Sequence, residues 1–582
     1  MSPSHGYTAA PTRDSLELTE LHSPSSSSPR TSTSSSHHDD NDHDDLSSHP
    51  RRSRTYSISS AFDFNTHLLP LSSSTTANRY TPLGAPSTLP PSGNLEKQKT
   101  LTYLNGLSLL IGLQIGSGIF SSPSQVDNHV PSPGVALVIW TIAGLLAWTG
   151  AASYAELGGA IPLNGGSGVY LRHCFGELAG FLFSWTAVMV LKPGSAAIIA
   201  IIAGEYFNRV ILGSFEAEIG AGGLPGAWAN KITAVVMFLV VAAMNMLSTK
   251  LTTRIGDAMM FLKVALLAVI TVTGIVVAAT GRNAVGTEAN RMWRERNWFE
   301  WRQPEEGREL VMGGVGEYAI ALYAGLWAFD GWDNVNYVTG EMRSPSRDLP
   351  RVIHTAMPLV ILFYLLANTA YYLVLPATTI SSSNTVAVAF GTTVFGPTGG
   401  LLFALAVSLS CFGALNASTF TSGRLVYVAG KEGYLPRIFG TLGFRTSSPS
   451  PSSSRFSRFN LFKSHPWTRT PIYATLLNSF LTLLYILIGE FSTLLTFYGV
   501  AGYSFYFLTV LGLIILRVKE PTLERPYKTW IVTPVVFCCV SLFLIVRSVV
   551  GRPWETVGVA AWVAVGVPVF WWRVGRWGWG RK

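Results

Sequence analysis

Charged side chains are scarce in this 582-residue chain: Asp, Glu, Lys and Arg together make up 13% of it, about half the share of a soluble globular domain. That shortfall excludes a string of soluble domains. The uncharged residues gather into runs of about 20, long enough to cross a hydrocarbon layer of ~30 Å. Cysteine is scarce too. Cys174, Cys411, Cys538 and Cys539 all lie in or beside apolar stretches, so they read as small buried hydrophobes rather than a disulfide framework or metal set. The apolar segments contain no HxxxD, HExxH or Cys–His arrangement. An integral-membrane enzyme therefore lacks its nucleophile, base or metal ligands, and no catalytic residue, cofactor or metal is expected. The first 97 residues hold no apolar run. No cleavable signal peptide is expected, and the first apolar segment serves as the insertion signal.

Hydrophobic residues are plentiful, at 48% with a mean hydropathy of +0.32. The net charge of +9 sits mostly at the ends of apolar runs, which is a membrane-orientation pattern rather than a nucleic-acid footprint, so no nucleic-acid partner is expected. Residues 1–97 are rich in Ser, Thr, Pro and His, with an acidic cluster at 39–45 and a basic patch at 51–54. Such a composition buries too little apolar surface to offset its ordering entropy, so it reads as a disordered cytoplasmic tail. The run Arg51-Arg52-Ser53-Arg54-Thr55-Tyr56-Ser57 suits a basic-directed kinase, whose phosphate would reverse the local charge. The tail is also a place for a ubiquitin-ligase adaptor. Its seven scattered histidines do not form a metal motif.

Twelve spanning segments are expected: 101–125, 134–158, 175–206, 229–248, 255–280, 314–339, 354–375, 398–428, 472–489, 493–517, 528–549 and 555–573. An even number puts both termini on one side. With that side cytoplasmic, the inner loops hold Lys250, Arg254, Arg343, Arg347, Arg351, Lys431 and Arg437, while the outer loop 376–397 has no charge, in line with the positive-inside rule. The outer loop 281–313 carries six Arg but also six Glu, hence no net bias.

Two spans are interrupted at corresponding places. The first holds Gly116-Ser117-Gly118, and the sixth holds Asp330-Gly331 followed by Asp333 and Asn334. Glycine weakens a helix interior by about 0.5–1 kcal/mol, and a lone membrane glycine is commonly a packing device. A matched pair of breaks five helices apart fits better with two inverted five-helix repeats whose first helices unwind at the midplane. Freed amides there hold a carboxylate and freed carbonyls an ammonium. A ligand with both groups on one carbon is an α-amino acid.

The segments Ile115-Gly116-Ser117-Gly118-Ile119-Phe120, Tyr154-Ala155-Glu156-Leu157-Gly158 and Gly325-Leu326-Trp327-Ala328-Phe329-Asp330-Gly331-Trp332 resemble the L-type amino-acid transporters. So do residues 336–350 (NYVTGEMRSPSRDLP), 423–436 (GRLVYVAGKEGYLP) and 523–528 (LERPYK). These transporters are light chains of heteromeric carriers within the amino acid–polyamine–organocation superfamily, and the resemblance runs in order from about 98 to 575. It implies an all-α membrane protein of LeuT-type fold, with a first repeat at 98–280, a second at 314–518, and two last helices with a short C-terminus at 519–582. It implies sodium-independent amino-acid transport, usually by exchange. It places the substrate carboxylate on the amides around Ser117, Gly118 and Ile119, and the ammonium near carbonyls of Ile115, Trp327 and Ala328. Trp327 becomes a gate over the substrate, and Asn416, Ser418 and Tyr503 line the side-chain pocket.

Charges inside spans are functional candidates, because each costs a few kcal/mol. Lys263 lies about nine residues into the fifth span; the resemblance puts its ammonium where sodium-coupled relatives bind an ion, while the alternative is a lysine snorkelling to the interface. Asp330 resembles the subtype that carries cationic amino acids and cystine, where the large-neutral subtype has Gly. Its carboxylate either pairs with a substrate cation or caps the second half-helix. Lys192, in Leu191-Lys192-Pro193, resembles the same subtype, but no role follows for it. Light chains carry a cysteine in the outer loop after the third span, whereas the loop at 207–228 has none. No disulfide-linked heavy chain is therefore expected, and the partners are L-amino acids and membrane lipids. A Ser/Pro/Arg-rich insert at 443–466 reads as a disordered linker. An amino-acid sensor without turnover and a proton-coupled permease remain alternatives. The plasma membrane is the expected location, with the vacuole or another internal membrane as the alternative.

Overall fold

A computed structural model of the chain describes residues 95–97, 99–212, 224–283, 292–295, 297–302, 315–383, 385–443, 470–488, 491–551 and 553–575, all within one compact unit, His67–Lys582. Residues 1–94, most of the insert at 443–466, and parts of the loops at 207–228 and 281–313 lie outside them. The helices, in chain order, are α1 Tyr103–Gln114, α2 Gly118–Asn128, α3 Pro133–Ala160, α4 Ser167–Phe175, α5 Glu177–Thr186, α6 Lys192–Leu212, α7 Leu224–Leu247, α8 Thr249–Thr280, α9 Met292–Glu295 and α10 Val315–Ala328. They continue as α11 Pro345–Val374, α12 Ala377–Ser382, α13 Val386–Lys431, α14 Ile472–Ile488, α15 Phe491–Lys519, α16 Val532–Gly551 and α17 Pro553–Phe570. No strand occurs among the described residues. Nine helical spans there are long and apolar enough to cross a bilayer, and the pair α1–α2, bent by 40°, makes a tenth.

Local chemistry sets the helix ends. Thr102 and Asn105 form a reciprocal capping box at the start of α1 (3.4 and 3.1 Å), which satisfies two otherwise orphan donors. Ser132 caps α3 ahead of Pro133, whose missing N–H suits the first turn. Gly281 closes α8 at φ 70°, a conformation glycine adopts without strain. As a single helix, the 46 residues of α13 would run about 69 Å, more than twice a bilayer core. Gly396, at φ 74° before Pro397, kinks it, and the expected span 398–428 begins just past that kink.

The first span divides at Ile115, Gly116 and Ser117 into α1 and α2, at the expected Gly116-Ser117-Gly118 interruption, while two other spans differ in form from the expectation. The third is α5, a π-helical turn at Ala187–Leu191, then α6. Pro193 explains that turn, because it has no N–H for the Met189 carbonyl four residues back; the Tyr485 hydroxyl donates to that carbonyl instead, at 3.2 Å. The sixth span ends its α-helix at Ala328, turns through Gly331 at φ 98°, and continues as a 3₁₀ helix, Asn334–Glu341, rather than a second α-helical half.

The two interrupted segments pack directly against each other. A Cβ added at Gly118 would lie 2.5 Å from the Ala328 Cα, and one at Gly331 would lie 2.7 Å from Leu113. Side chains from neighbouring helices satisfy the freed carbonyls. Tyr364 of α11 places its hydroxyl 2.6 Å from the Gln114 carbonyl and 3.1 Å from that of Ala328. Gln114 donates to Phe329 O at 2.9 Å, and Ser410 of α13 donates to Ile115 O at 3.1 Å. Unpaired, each such carbonyl would cost several kcal/mol in a dry interior. Outward-facing Val138, Ile142, Phe261, Val269 and Val272 form an apolar outer surface suited to lipid.

Candidate functional site

The first turn of α2 begins at Gly118 after Ser117. No helical carbonyl serves the amides of a helix's first turn, and the helix dipole adds partial positive charge there. These amides border a cavity of about 20 Å³ lined by Leu113, Gln114, Ser117, Gly118, Ser195, Ile199, Trp327 and Asp330. That volume holds a water molecule but not an amino acid, so admitting one requires the surrounding helices to part.

The cavity wall carries several polar groups. Gln114 is buried, and its Oε1 has no hydrogen-bond partner among the described residues. The Trp327 Nε1 is likewise buried without a partner, while its ring meets the Tyr498 ring edge-on at 5.3 Å. Asp330 accepts a hydrogen bond from the Tyr498 hydroxyl at 2.6 Å and lies 3.5 Å from that of Tyr506. Neither contact is a helix cap; the 3₁₀ helix is entered through Asp333, which makes no side-chain cap. Asp330 thus faces the cavity and α15, with no basic residue within 4.0 Å among the described residues. A carboxylate in that position can receive a cation.

Ion pairs pin both ends of the broken helices. Arg302 forms a bidentate pair with the buried Asp127 of α2 (2.8 and 2.5 Å), and the Tyr372 hydroxyl donates to the same carboxylate at 2.6 Å. At the opposite end Glu341 accepts from Arg424 and from Asn164, both at 3.3 Å. Glu156 of α3 receives Arg517 Nε and the Thr529 amide, each at 2.9 Å.

The sequence profile described as amino acid permease matches residues 101–571. The b(0,+)-type amino acid transporter 1 of Homo sapiens is 33% identical over 487 residues, 83% of this chain and 90% of that protein. The Mus musculus protein of the same name is 34% identical over 459 residues, covering 79% and 84%. The large neutral amino acids transporter small subunit 2 of Mus musculus is 32% identical over 481 residues, covering 82% and 81%. The chain belongs to the amino acid permease family.

In this permease, Ser117, Gly118, Trp327 and Asp330 come together on the cavity. Ile115, Ile119 and Ala328 are fully or almost fully buried beside it, and the Ile115 and Ala328 carbonyls already accept the Ser410 and Tyr364 hydroxyls. Asn416, expected on the side-chain pocket, does not reach the cavity. It accepts from Asn245 at 3.0 Å and donates to Thr252 O at 3.1 Å, tying α13 to α7 and α8. Ser418, also off the cavity, is buried in α13, where its carbonyl receives the Thr421 and Ser422 hydroxyls. Tyr503 packs against Tyr323 and Tyr506 at 6.0 and 5.8 Å and is not part of the lining. Tyr498 and Tyr506 reach Asp330 instead, eight residues apart and hence on one face of α15. Lys263 is fully buried, away from the cavity, and donates to Gly112 O at 2.5 Å. Gln114 and Ser195 escaped the sequence reading. Ser195 carried a usable signal, lying one turn beyond Lys192 on the same helix face.

Proposed function

We propose that this permease moves L-amino acids across a membrane by alternating access, without sodium and by exchange, accepting neutral and cationic side chains. The observation that carries the reading is the small cavity at the two helix breaks, lined both by the first-turn residues of α2 and by the Asp330 carboxylate. The amides of Ser117, Gly118 and Ile119 receive the substrate carboxylate. The ammonium turns to the Gln114 Oε1, which lacks another partner, and to carbonyls of Ile115, Trp327 and Ala328. Asp330 faces the side chain. Family membership and the printed names of the relatives support amino acids as the cargo.

The same reading takes α10 with its 3₁₀ continuation as the sixth span and α14 as the ninth, giving twelve. They form inverted repeats over 98–280 and 314–518, followed by α16 and α17 in 519–582, with both termini cytoplasmic. The chain works without a disulfide-linked heavy chain, because 207–228 contains no cysteine. Its place is the plasma membrane. The buried ammonium of Lys263, bonded to a carbonyl of α1, supplies a fixed positive charge in place of a sodium ion.

The cationic branch is tested at Asp330. A guanidinium leaving water gives up several kcal/mol of hydration and needs a fixed counter-charge, whereas a leucine side chain needs none. Asp330→Asn keeps the shape and removes the charge. Because a charged hydrogen bond contributes about 1.5–3 kcal/mol, arginine uptake should fall roughly ten- to a hundred-fold relative to leucine. Equal losses for both substrates, or a wild type that carries no cationic amino acid, contradict the assignment.

A further inference from the structure

Lys192 opens α6 directly after the π-helical turn and is buried to 7% exposure. Its ammonium has no carboxylate oxygen within 4.0 Å among the described residues and rests on the face of the Tyr337 ring, 4.0 Å from the centroid. The Tyr337 hydroxyl in turn donates to Asp333 at 2.9 Å. Asp333 is itself buried, three residues beyond Asp330 in the same break. Lys192 also shares its helix face with Ser195 and Ile199, at i+3 and i+7, and both of those line the cavity. The π turn adds one residue to the helical register ahead of Lys192, which alters the facing of every residue before it relative to α6. Beside it Gly194 is buried, and a Cβ there would meet no heavy atom within 4 Å. Water screens charges little in so buried a region.

We propose that Lys192 is a specificity-determining residue: its ammonium offsets one of the two carboxylates of the break, Asp330 and Asp333, so that the side-chain subsite presents a single net negative charge. This rests on the reading of Asp330 as the counter-charge for cationic substrates. With one net negative charge the subsite attracts a guanidinium or ammonium yet still tolerates an uncharged side chain. With two, a neutral substrate would leave both carboxylates uncompensated, and the site would favour cations. Aromatic stacking holds the lysine without consuming either carboxylate as a direct partner, which leaves Asp330 free to meet the ligand.

The test is the ratio of radiolabelled arginine to leucine uptake in proteoliposomes containing the purified full chain. Lys192→Met should raise that ratio about ten-fold, opposite in direction to Asp330→Asn, and Lys192→Arg should hold it near the wild-type value. A merely structural lysine would lower both uptakes together and leave the ratio unmoved, and that result, or a ratio that falls, overturns the proposal. If Lys192→Met is not recovered from the membrane, the double variant Lys192→Met/Asp330→Asn decides. It restores the wild-type net charge and should be recovered and carry leucine; a double variant as unstable as the single one overturns the proposal too. A wild type that carries leucine but no arginine defeats the Asp330 reading itself, whereas a wild type that carries both with an unmoved ratio in Lys192→Met defeats only the role of Lys192.

Discussion

A single missing methyl group decides how closely the two breaks approach. A Cβ at Gly118 would stand 2.5 Å from the Ala328 Cα, well inside van der Waals contact, and the obstacle is backbone that cannot swing aside. Gly118→Ala should therefore push α2 off α10 and lower amino-acid uptake at least ten-fold, with normal amounts of protein in the membrane. Gly256→Ala provides the control. There the nearest atoms, Asn416 Nδ2 and Ser108 Oγ, lie 3.7 Å away, and alanine favours a helix interior, so uptake should stay near wild type. Equal behaviour of the two variants in an uptake assay with surface quantification would contradict the close-approach account. Gly118 was legible from the sequence because Gly116-Ser117-Gly118 interrupts an apolar run. Asn416 was not legible as a structural tie, since its partners Asn245 and Thr252 come from segments over 160 residues away. Tyr503 was misplaced by rotation alone: successive helix residues point about 100° apart, and the face toward Asp330 belongs to Tyr498 and Tyr506.

Among the elements, α2 is the one held most visibly at its far end. Its Asp127 binds Arg302 through both guanidinium nitrogens while Tyr372 of α11 donates to the same carboxylate. The segment around Arg302 also bonds through its backbone: the Arg302 amide reaches Pro131 O at 3.0 Å, and Trp298 O accepts the Gly134 amide at 2.8 Å. Removing either partner leaves the other charge without compensation, at a cost of about 2 kcal/mol for a charged hydrogen bond. Asp127→Asn and Arg302→Ala should each lower the melting temperature of the purified protein by a few degrees, and the double variant should lose little more than either single, because the two act as one unit. Fully additive losses would show that they do not. The broken first span could be read from its Gly positions. The 3₁₀ form of Asn334–Glu341 could not, since it depends on Asn334 being drawn to Leu109 O at 3.1 Å and to the Thr421 hydroxyl at 2.6 Å, contacts made by remote parts of the chain.

For the whole molecule, the ends of the two broken helices are clamped by charge while their middles meet at a cavity too small for an amino acid. A transporter with this construction must open one end at a time around the site. Charge scarcity and apolar runs were enough to read a helical membrane protein. The ion pairs joining Glu156 to Arg517 and Glu341 to Arg424 were not readable, because pairing across hundreds of residues leaves no local pattern. The central claim, sodium-independent amino-acid exchange, is tested most directly by uptake of radiolabelled leucine into proteoliposomes holding the purified full chain, preloaded with unlabelled leucine or with buffer, in sodium or in choline. The account predicts uptake that depends on internal leucine and is the same in both salts. Uptake that collapses in choline, or leucine binding to the protein without any accumulation inside preloaded vesicles, would contradict it.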